Sequence, residues 1–388
     1  MNQIPVVHII TKMELGGAQQ VALDILSQMD HHRFTPVLIT GPEGYLLDEA
    51  RSMGFEVHIA KSMEREIRPV RDFVAYREIR EILSGIPEAA VVHTHSSKAG
   101  ILGRWAAAKA GIPVIIHTIH GFGIPPTQPL YMRSVLRIAE RLTSRISTHL
   151  VAVSESNRSD GVRWGIFGAD KCSVIYCGFD LEPIYTALPI REDLESSHGI
   201  PLQAPLVLMV ACLKPQKAPL DYVRVAETVH GSRPDAHFMV AGDGELAGEM
   251  VREVKRAGLE EKFHLLGWRN DVFSLMKSSD LVVLTSLWEG LPLVIPQAHA
   301  AGKPFIATSV DGSVEAIADG VNGFLCPPRE SGAMADRILT ILSDPDLAKR
   351  MGDEGKERAK LFNRERMVRM YEDLYSKLLD EKGVYPGS

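Results

Sequence analysis

The residues best placed to do chemistry fall in short clusters, each just after an apolar run. The densest is Ser286-Leu-Trp-Glu289-Gly290-Leu-Pro292-Leu293-Val294-Ile295-Pro296-Gln297. Glu289 stands in a loop, and a helix is expected to open near Leu293. Pro296 fits that start, because proline is tolerated in a first turn whose amides have no intrahelical partner. Free amides around Leu293, Val294 and Ile295 would suit a phosphate, with Gln297 beside them to hydrogen-bond a ribose. The plainer reading makes Glu289 a dipole partner and Gln297 a surface polar group. The second cluster, Cys212-Leu-Lys214-Pro-Gln-Lys217, follows another apolar run. Lys217, supported by Lys214, would neutralise a diphosphate leaving group, because without a metal some cation must stabilise that charge. The plainer reading is solvated loop lysines.

Three further groups carry less specific signals. Gly16-Gly17-Ala18-Gln19 lets backbone approach a phosphate or sugar and opens a helix, although paired glycines also make ordinary turns. His93, His95, His117 and His120 lie near Ser96, Ser97 and Lys98. No Asp, Glu or Cys accompanies them with metal-ligand spacing, so no metal is expected. His120, before Gly121-Phe-Gly123, is expected to point at a sugar, and His93 and His117 to be hydrogen-bonded core groups. Arg133, Arg137 and Arg141 recur at i, i+4, with Arg145 following, as one basic stripe on a helix. With Lys98, that stripe would face a phosphate-bearing acceptor or anionic headgroups; a solvated face partly paired with Glu140 is the simpler alternative. Asp344-Pro-Asp346 is formally an Asp-x-Asp pair, but between two expected helices Asp344 reads as an N-cap.

These clusters need a scaffold, and the apolar runs supply it. Residues 6–10, 37–40, 57–59, 91–95, 114–118, 150–153 and 174–176 read as strands in the first half. Residues 206–211, 238–241, 263–266, 281–285, 305–307 and 324–325 do so in the second. Most are continuous rather than alternating, as in parallel sheets buried on both faces. Their spacing leaves room for crossover helices, so the expectation is α/β with two Rossmann-like doubly wound domains. The boundaries expected are 1–180 for the first domain, 181–204 for an interdomain linker, 205–363 for the second and 364–388 for a C-terminal helix and tail. The linker is inferred from three prolines and the lack of strong periodicity. The last helix carries Met367, Met370, Tyr371, Leu374, Tyr375 and Leu378 at helical spacing.

The 388 residues, 45% hydrophobic and 24% charged, have the balance of an ordinary globular chain. The net charge of −6 and the lack of a basic tail argue against nucleic acid as a partner. The first 180 residues are close to neutral and hold nine of the fourteen histidines, which leaves that half free to face an anionic partner. No apolar run is long enough to span a bilayer, and the start lacks a secretory pattern. Four scattered cysteines read as reduced thiols. A cytoplasmic protein is expected, with peripheral contact at the inner membrane face as an option. The lack of Gly-x-Gly-x-x-Gly after either first strand disfavours a dinucleotide oxidoreductase.

With these residues in hand, the chain resembles the family 4 glycosyltransferases, the retaining group with the GT-B fold, and in particular a bacterial surface-polysaccharide branch. The resemblance runs from Gly16-Gly17 to the last helix. It rests on an ordered set: Gly16-Gly-Ala-Gln19, His93-Thr-His-Ser-Ser-Lys98, His117-Thr-Ile-His120-Gly-Phe, Val153-Ser-Glu, Val174-Ile-Tyr-Cys-Gly178-Phe-Asp180, Ala241-Gly242-Asp-Gly244, Leu266-Gly267, Glu289-Gly-Leu-Pro292 and Val310-Asp-Gly312-Ser-Val-Glu315. It implies two facing domains with an interdomain cleft, and sugar transfer from a UDP- or GDP-sugar to a lipid-linked or saccharide acceptor without cofactor or metal. It also implies roles: Glu289 on the donor sugar, Gln297 on the ribose, Lys217 with the Leu293 and Val294 amides on the diphosphate. Gly17 would approach that diphosphate, His120 the sugar, and the loop at Gly267 the base, with Gly16, Lys214 and Gly242 completing the donor set. Two positions depart from the family pattern. Gln297 stands where the family's Glu-x7-Glu has its second carboxylate, and Cys212 where an arginine is frequent. Two alternatives stay in view: an epimerase or hydrolase of the same fold, and, suggested by these two departures, a degenerate nucleotide-sugar binding protein.

Overall fold

The structure, a computed structural model, describes residues 3–124 and 128–384. It divides into two compact units, residues 1–179 with 364–388, and residues 180–363. The end of the expected tail, residues 385–388, lies outside the described residues.

The first unit is built on seven parallel strands: β1 (Ile4–Ile10), β2 (Phe34–Thr40), β3 (Glu56–Ile59), β4 (Val91–His95), β5 (Val114–Ile119), β6 (His149–Ala152) and β7 (Cys172–Val174). Their order is β3-β2-β1-β4-β5-β6-β7, so the chain reverses direction across the sheet between β1 and β4. Val7, Ile9, Val37, Ile39 and Val92 pack beneath helices on one face. Strands covered on both faces have no polar side to show, which is why these segments read as unbroken apolar runs.

The second unit repeats the plan with six strands: β8 (Leu206–Val210), β9 (His237–Ala241), β10 (Phe263–Leu265), β11 (Leu281–Leu284), β12 (Phe305–Thr308) and β13 (Gly323–Cys326). The order is β10-β9-β8-β11-β12-β13, all parallel, with the reversal between β8 and β11. Every expected strand is present, within a few residues at its ends.

Two boundaries differ from the sequence expectation. The segment 181–204 is not an irregular linker: it holds the helices Glu182–Thr186 and Arg191–His198 and belongs to the second unit. Ile184, Leu194 and Ile200 are buried, Ser278 Oγ accepts the Ile190 amide at 2.7 Å, and Arg191 reaches Asp280 at 3.0 Å. Its apolar residues are too few per turn to show a period, so tertiary contacts make these short helices. The C-terminal helix Arg364–Glu381 is not a separate appendage but part of the first unit, where Met367, Tyr371, Tyr375 and Leu378 are buried. The Arg364 amide donates to Phe179 O at 3.1 Å, and Met367 Sδ accepts the Gly178 amide at 3.0 Å.

Arg104, on the helix Ser97–Ala110, has no exposed surface. Its Nη2 reaches Glu140 Oε2 at 2.7 Å and its Nε donates to Gly100 O at 2.7 Å. Glu140 therefore serves Arg104 rather than the arginine stripe on its own helix. Glu140→Ala would leave a buried guanidinium without its counter-charge, a loss of about 3–5 kcal/mol. Urea unfolding of the full chain should show that drop; a loss below about 1 kcal/mol would mean that water reaches Arg104.

Candidate active site

In open α/β sheets, ligands gather beyond the carboxyl ends of the strands where the strand order reverses. In the second unit that point lies between β8 and β11, and the two strongest sequence clusters follow those two strands. The structure brings them together. Lys217 Nζ forms an ion pair and hydrogen bond with Glu289 Oε1, and Ser286 Oγ donates to the same oxygen at 2.5 Å. The Glu289 side chain is 6% exposed and that of Lys217 21%, so the lysine stays partly accessible while the carboxylate is covered.

The loops are tied along their length. The Leu287 amide donates to Gln216 O at 2.8 Å, Gln216 Nε2 to Trp288 O at 2.9 Å, and Thr285 Oγ1 to Lys217 O at 2.8 Å. A third loop braces them. Asp311 Oδ2 accepts the Glu289 amide at 2.6 Å, and the Gly312 amide donates to Gly290 O at 3.1 Å. A Cβ on Gly312 would sit 2.2 Å from Gly290 O, so only glycine lets the backbones come this close. Gly312→Ala should displace the Glu289 loop, raising the donor KM at least about 10-fold while costing about 1–3 kcal/mol of stability. Steady-state kinetics beside a melting curve separates the two effects. Ser286, Thr285 and Asp311 supply this bracing and were not singled out from sequence. The signal was their adjacency to Glu289 and to the Val310-Asp-Gly312 motif.

The helix after Glu289 begins at Val294, with Leu293 as its N-cap, close to the expected start. The Leu293 and Val294 amides have no backbone acceptor among the described residues, whereas the Ile295 amide donates to Pro292 O at 3.0 Å. Ile295 therefore leaves the group of free donors. Gln297 lies in this helix, half-buried, with no side-chain hydrogen bond among the described residues. Lys214 is exposed at the head of a short 3-10 turn, and Cys212 is half-buried. Gly242 adopts φ +144°, and a Cβ there would meet Ala211 O at 2.0 Å. Its amide donates to Gly267 O at 2.7 Å, so this pair has a packing reason of its own: it lets the loops after β9 and β10 close on the loop after β8.

In the first unit, the reversal lies between β1 and β4, and Thr11 and Ser96 join the two strand ends through a 2.7 Å hydroxyl contact. Gly16 caps the helix Gly17–Gln28, both glycines are exposed, and Gln19 Nε2 donates to Lys12 O at 2.9 Å.

The histidines divide by strand parity. In the parallel register His8 pairs with His93 and His95 with Thr118, which puts all four on one sheet face, while His117 pairs with Thr94 on the other. His120 follows β5 half-buried, with Nε2 3.0 Å from His95 Nδ1. His95 Nε2 lies 3.0 Å from His8 Nδ1, and His8 Nε2 lies 3.2 Å from Tyr375 Oη. Tyr375 Oη is also 2.6 Å from His93 Nδ1, whose Nε2 is 2.7 Å from Thr118 Oγ1. Thr118 Oγ1 is 3.0 Å from Tyr371 Oη. Burial pushes His8 down to about 3 and His120 to about 4, and holds His93, His95 and His117 well below the usual imidazole range. All are neutral at pH 7. The ring nitrogens of His8, His93 and His95 lie within 4.8 Å of one another, and each already has a protein partner. The cluster thus satisfies itself as hydrogen-bonded imidazoles.

The residues expected on the acceptor side separate. Lys98 is not free: it pairs with Asp72, donates to Glu66 O, and is largely covered. Arg133 and Arg137 are half-buried, Arg137 with its guanidinium 4.6 Å from the Trp164 ring centroid, and Arg141 is exposed. The helix bearing them, Leu130–Ile146, also exposes Tyr131, Val135, Ile138 and Leu142. Asp344 caps the following helix, with Oδ1 2.9 Å from the Leu347 amide. No helix among the described residues is long and apolar enough to cross a membrane.

Comparison with known proteins agrees with this architecture. Residues 15–183 match the model described as Glycosyltransferase Family 4, and residues 190–358 match Glycosyl transferases group 1. The chain is 30% identical over 350 residues to the UDP-Gal:alpha-D-GlcNAc-diphosphoundecaprenol alpha-1,3-galactosyltransferase of Escherichia coli, covering 88% of this chain and 89% of that one. It is 22% identical to the N,N'-diacetylbacillosaminyl-diphospho-undecaprenol alpha-1,3-N-acetylgalactosaminyltransferase of Campylobacter jejuni, covering 88% and 91%. Among solved structures, HepE of Anabaena in complex with UDP-glucose superposes with a TM-score of 0.83 at 22% identity, covering 98% of this chain and 100% of that one, a likeness of fold. The chain belongs to the family 4 glycosyltransferases, and its two Rossmann-like units are those of a GT-B transferase that moves a sugar from a nucleotide-diphosphate donor to an acceptor.

Proposed function

We propose that this chain transfers a sugar from a UDP-sugar to a polyprenyl-diphosphate-linked saccharide, with retention at the anomeric carbon. The observation that carries the reading is the Lys217–Glu289 pair at the strand reversal of the second unit. A preorganised, partly accessible lysine is what a departing diphosphate needs. Lys217 and Lys214 supply cations, the Leu293 and Val294 amides supply donors, and Gln297 takes a ribose hydroxyl. Glu289 holds the sugar. Gly242 and Gly267 shape the neighbouring loops; within the first unit, Gly16 and Gly17 are the groups this reading gives to diphosphate and His120 the one it gives to sugar. The bond from the anomeric carbon to the diphosphate oxygen breaks as the bond to the acceptor oxygen forms on the same face. The acceptor proton passes to the leaving diphosphate. In this reading the leaving-group charge is met by protein groups rather than by a divalent ion or cofactor.

UDP and the lipid-linked acceptor are favoured by the activity of the Escherichia coli relative and by the substrate named for the Campylobacter jejuni one. Peripheral membrane contact, at the inner face, is supported by exposed Tyr131, Val135, Ile138 and Leu142 beside Arg141 and Arg145. The test is transfer from UDP-, GDP- and ADP-sugars to a synthetic polyprenyl-diphosphate-GlcNAc, with EDTA present. Product from a UDP-sugar supports the reading. Turnover only with GDP- or ADP-sugars, or only with added divalent ion, would overturn its donor or metal part, and epimerisation of the donor without acceptor would overturn transfer itself.

A further inference from the structure

The side chains from His120 to Tyr371 form one unbranched path: His120, His95, His8, Tyr375, His93, Thr118, Tyr371. Seven neutral groups share six hydrogen bonds, and each group has one proton to donate. If every link is made, the spare proton can also sit on Thr118 or Tyr375, whose oxygens can each accept two hydrogen bonds. Both are wholly buried with no further side-chain partner among the described residues, so a spare donor there is costly; otherwise the protons run in one of two directions.

If they run inward, His120 donates to His95 and each group donates onward, until the Tyr371 hydroxyl is left with no acceptor. Tyr371 is 1% exposed, and its hydroxyl has no hydrogen-bond partner except Thr118 among the described residues. An unmade donor in such a place is costly. If they run outward, Tyr371 donates to Thr118, every link is made, and the proton left over sits on His120 Nδ1. No protein group among the described residues binds that nitrogen, and His120 is the half-exposed end of the path. A leftover N–H is cheap where water or a ligand reaches it. On Tyr371 only a lone pair goes unused.

We infer that the C-terminal helix, through Tyr375, which joins the histidines to the buried Thr118 and Tyr371 hydroxyls, fixes the tautomer of His120, so that it faces its ligand as a neutral Nδ1–H donor. This rests on the reading that His120 meets the donor sugar, and it specifies that contact. The ligand atom opposite is a hydrogen-bond acceptor, such as a sugar hydroxyl oxygen. His120 cannot take a proton at that nitrogen, so it binds and orients and does not act as a base. Tyr371, Tyr375, His8, His93, His95 and Thr118 are positioning residues, all within the first unit.

The test is nitrogen NMR on the full chain labelled with 15N-histidine, with the His120 signals assigned by their loss in His120→Gln. The expected result is a protonated Nδ1 and an unprotonated Nε2. Tyr375→Phe, which cuts the path, should move both signals toward a mixture of tautomers and lower kcat/KM about 10-fold, with UDP affinity unchanged. Tyr371→Phe should leave the same signals in place, because Thr118, itself wholly buried, then becomes the hydroxyl end that must donate into the path. A wild-type His120 protonated on Nε2 would overturn the inference, as would an unchanged His120 spectrum in a folded Tyr375→Phe protein. If the phenylalanine variants do not fold, the wild-type tautomer alone decides. If the spectra behave as expected but no nucleotide sugar is turned over, the relay stands and the functional reading falls.

Discussion

Glu289→Ala is expected to lower kcat/KM for sugar transfer by about 10²–10³-fold, the loss that follows removal of one preorganised polar contact to a transition state. The protein should stay folded. Lys217 is partly exposed and can be rehydrated, and the Gln216, Thr285 and Gly312 contacts that hold the loops do not involve the Glu289 side chain. Kinetics of the single variants alone would not say whether Glu289 acts on the sugar or only holds Lys217 in place. A double-mutant cycle with Lys217→Ala separates these. If Glu289 only positions the lysine, the double variant is no worse than Lys217→Ala. If it binds the sugar, the double variant loses a further 10-fold or more. Retention of full activity by Glu289→Ala would remove the pair from the reaction.

The second large effect is on stability against pH. His8, His93, His95, His117 and His120 are neutral in the fold, held below the usual imidazole range by burial. The groups facing them are one another, the hydroxyls of Thr118, Tyr371 and Tyr375, and, for His117, Arg104 with the hydroxyl and carbonyl of Thr94; no carboxylate touches them to favour the charged form. In the unfolded chain each histidine takes up a proton near pH 6.5. Between that pH and the folded values of about 3 for His8 and about 4 for His120, the unfolded state binds more protons. Stability is thus fully present above about pH 6.5 and falls as pH drops below it. Each histidine contributes about 1.4 kcal/mol per pH unit, so the five together reach about 7 kcal/mol per unit. Against an ordinary stability of about 5–15 kcal/mol, the first unit should unfold near pH 5. Potentiometric measurement should find about five protons taken up as the first unit unfolds there, with His149, also held low by burial, adding to the count. Uptake of one proton or none would show that the cluster is charged in the fold.

Much of this protein is legible in its residue order. A strand buried on both faces must be apolar at every position, so each of the thirteen strands announces itself without any knowledge of its neighbours. The helix start at Val294 and the Asp344 cap are equally local, because proline and a capping carboxylate act on amides within a few residues. Glu289 and Lys217 stand out for the same reason: charged groups on loops after apolar strands have few structural uses. What the residue order could not state is which distant groups meet. The helices at 182–186 and 191–198 form because Ile184, Leu194 and Ile200 find a covered place in the second unit, not because of any local period. Lys98 looks available for an acceptor until the fold sets Asp72 against it, and Glu140 looks like a partner for its own helix until Arg104 is buried beneath it. The histidines mark the limit most plainly. Parity places His93 and His95 on one face of their strand. Only the register of β1 on β4, and the return of the C-terminal helix to the first unit, bring His8, Tyr371 and Tyr375 to them. Hydrogen bonds act over about 3 Å, so their pairing is decided by where the chain comes to rest, and a linear order of residues does not contain that distance.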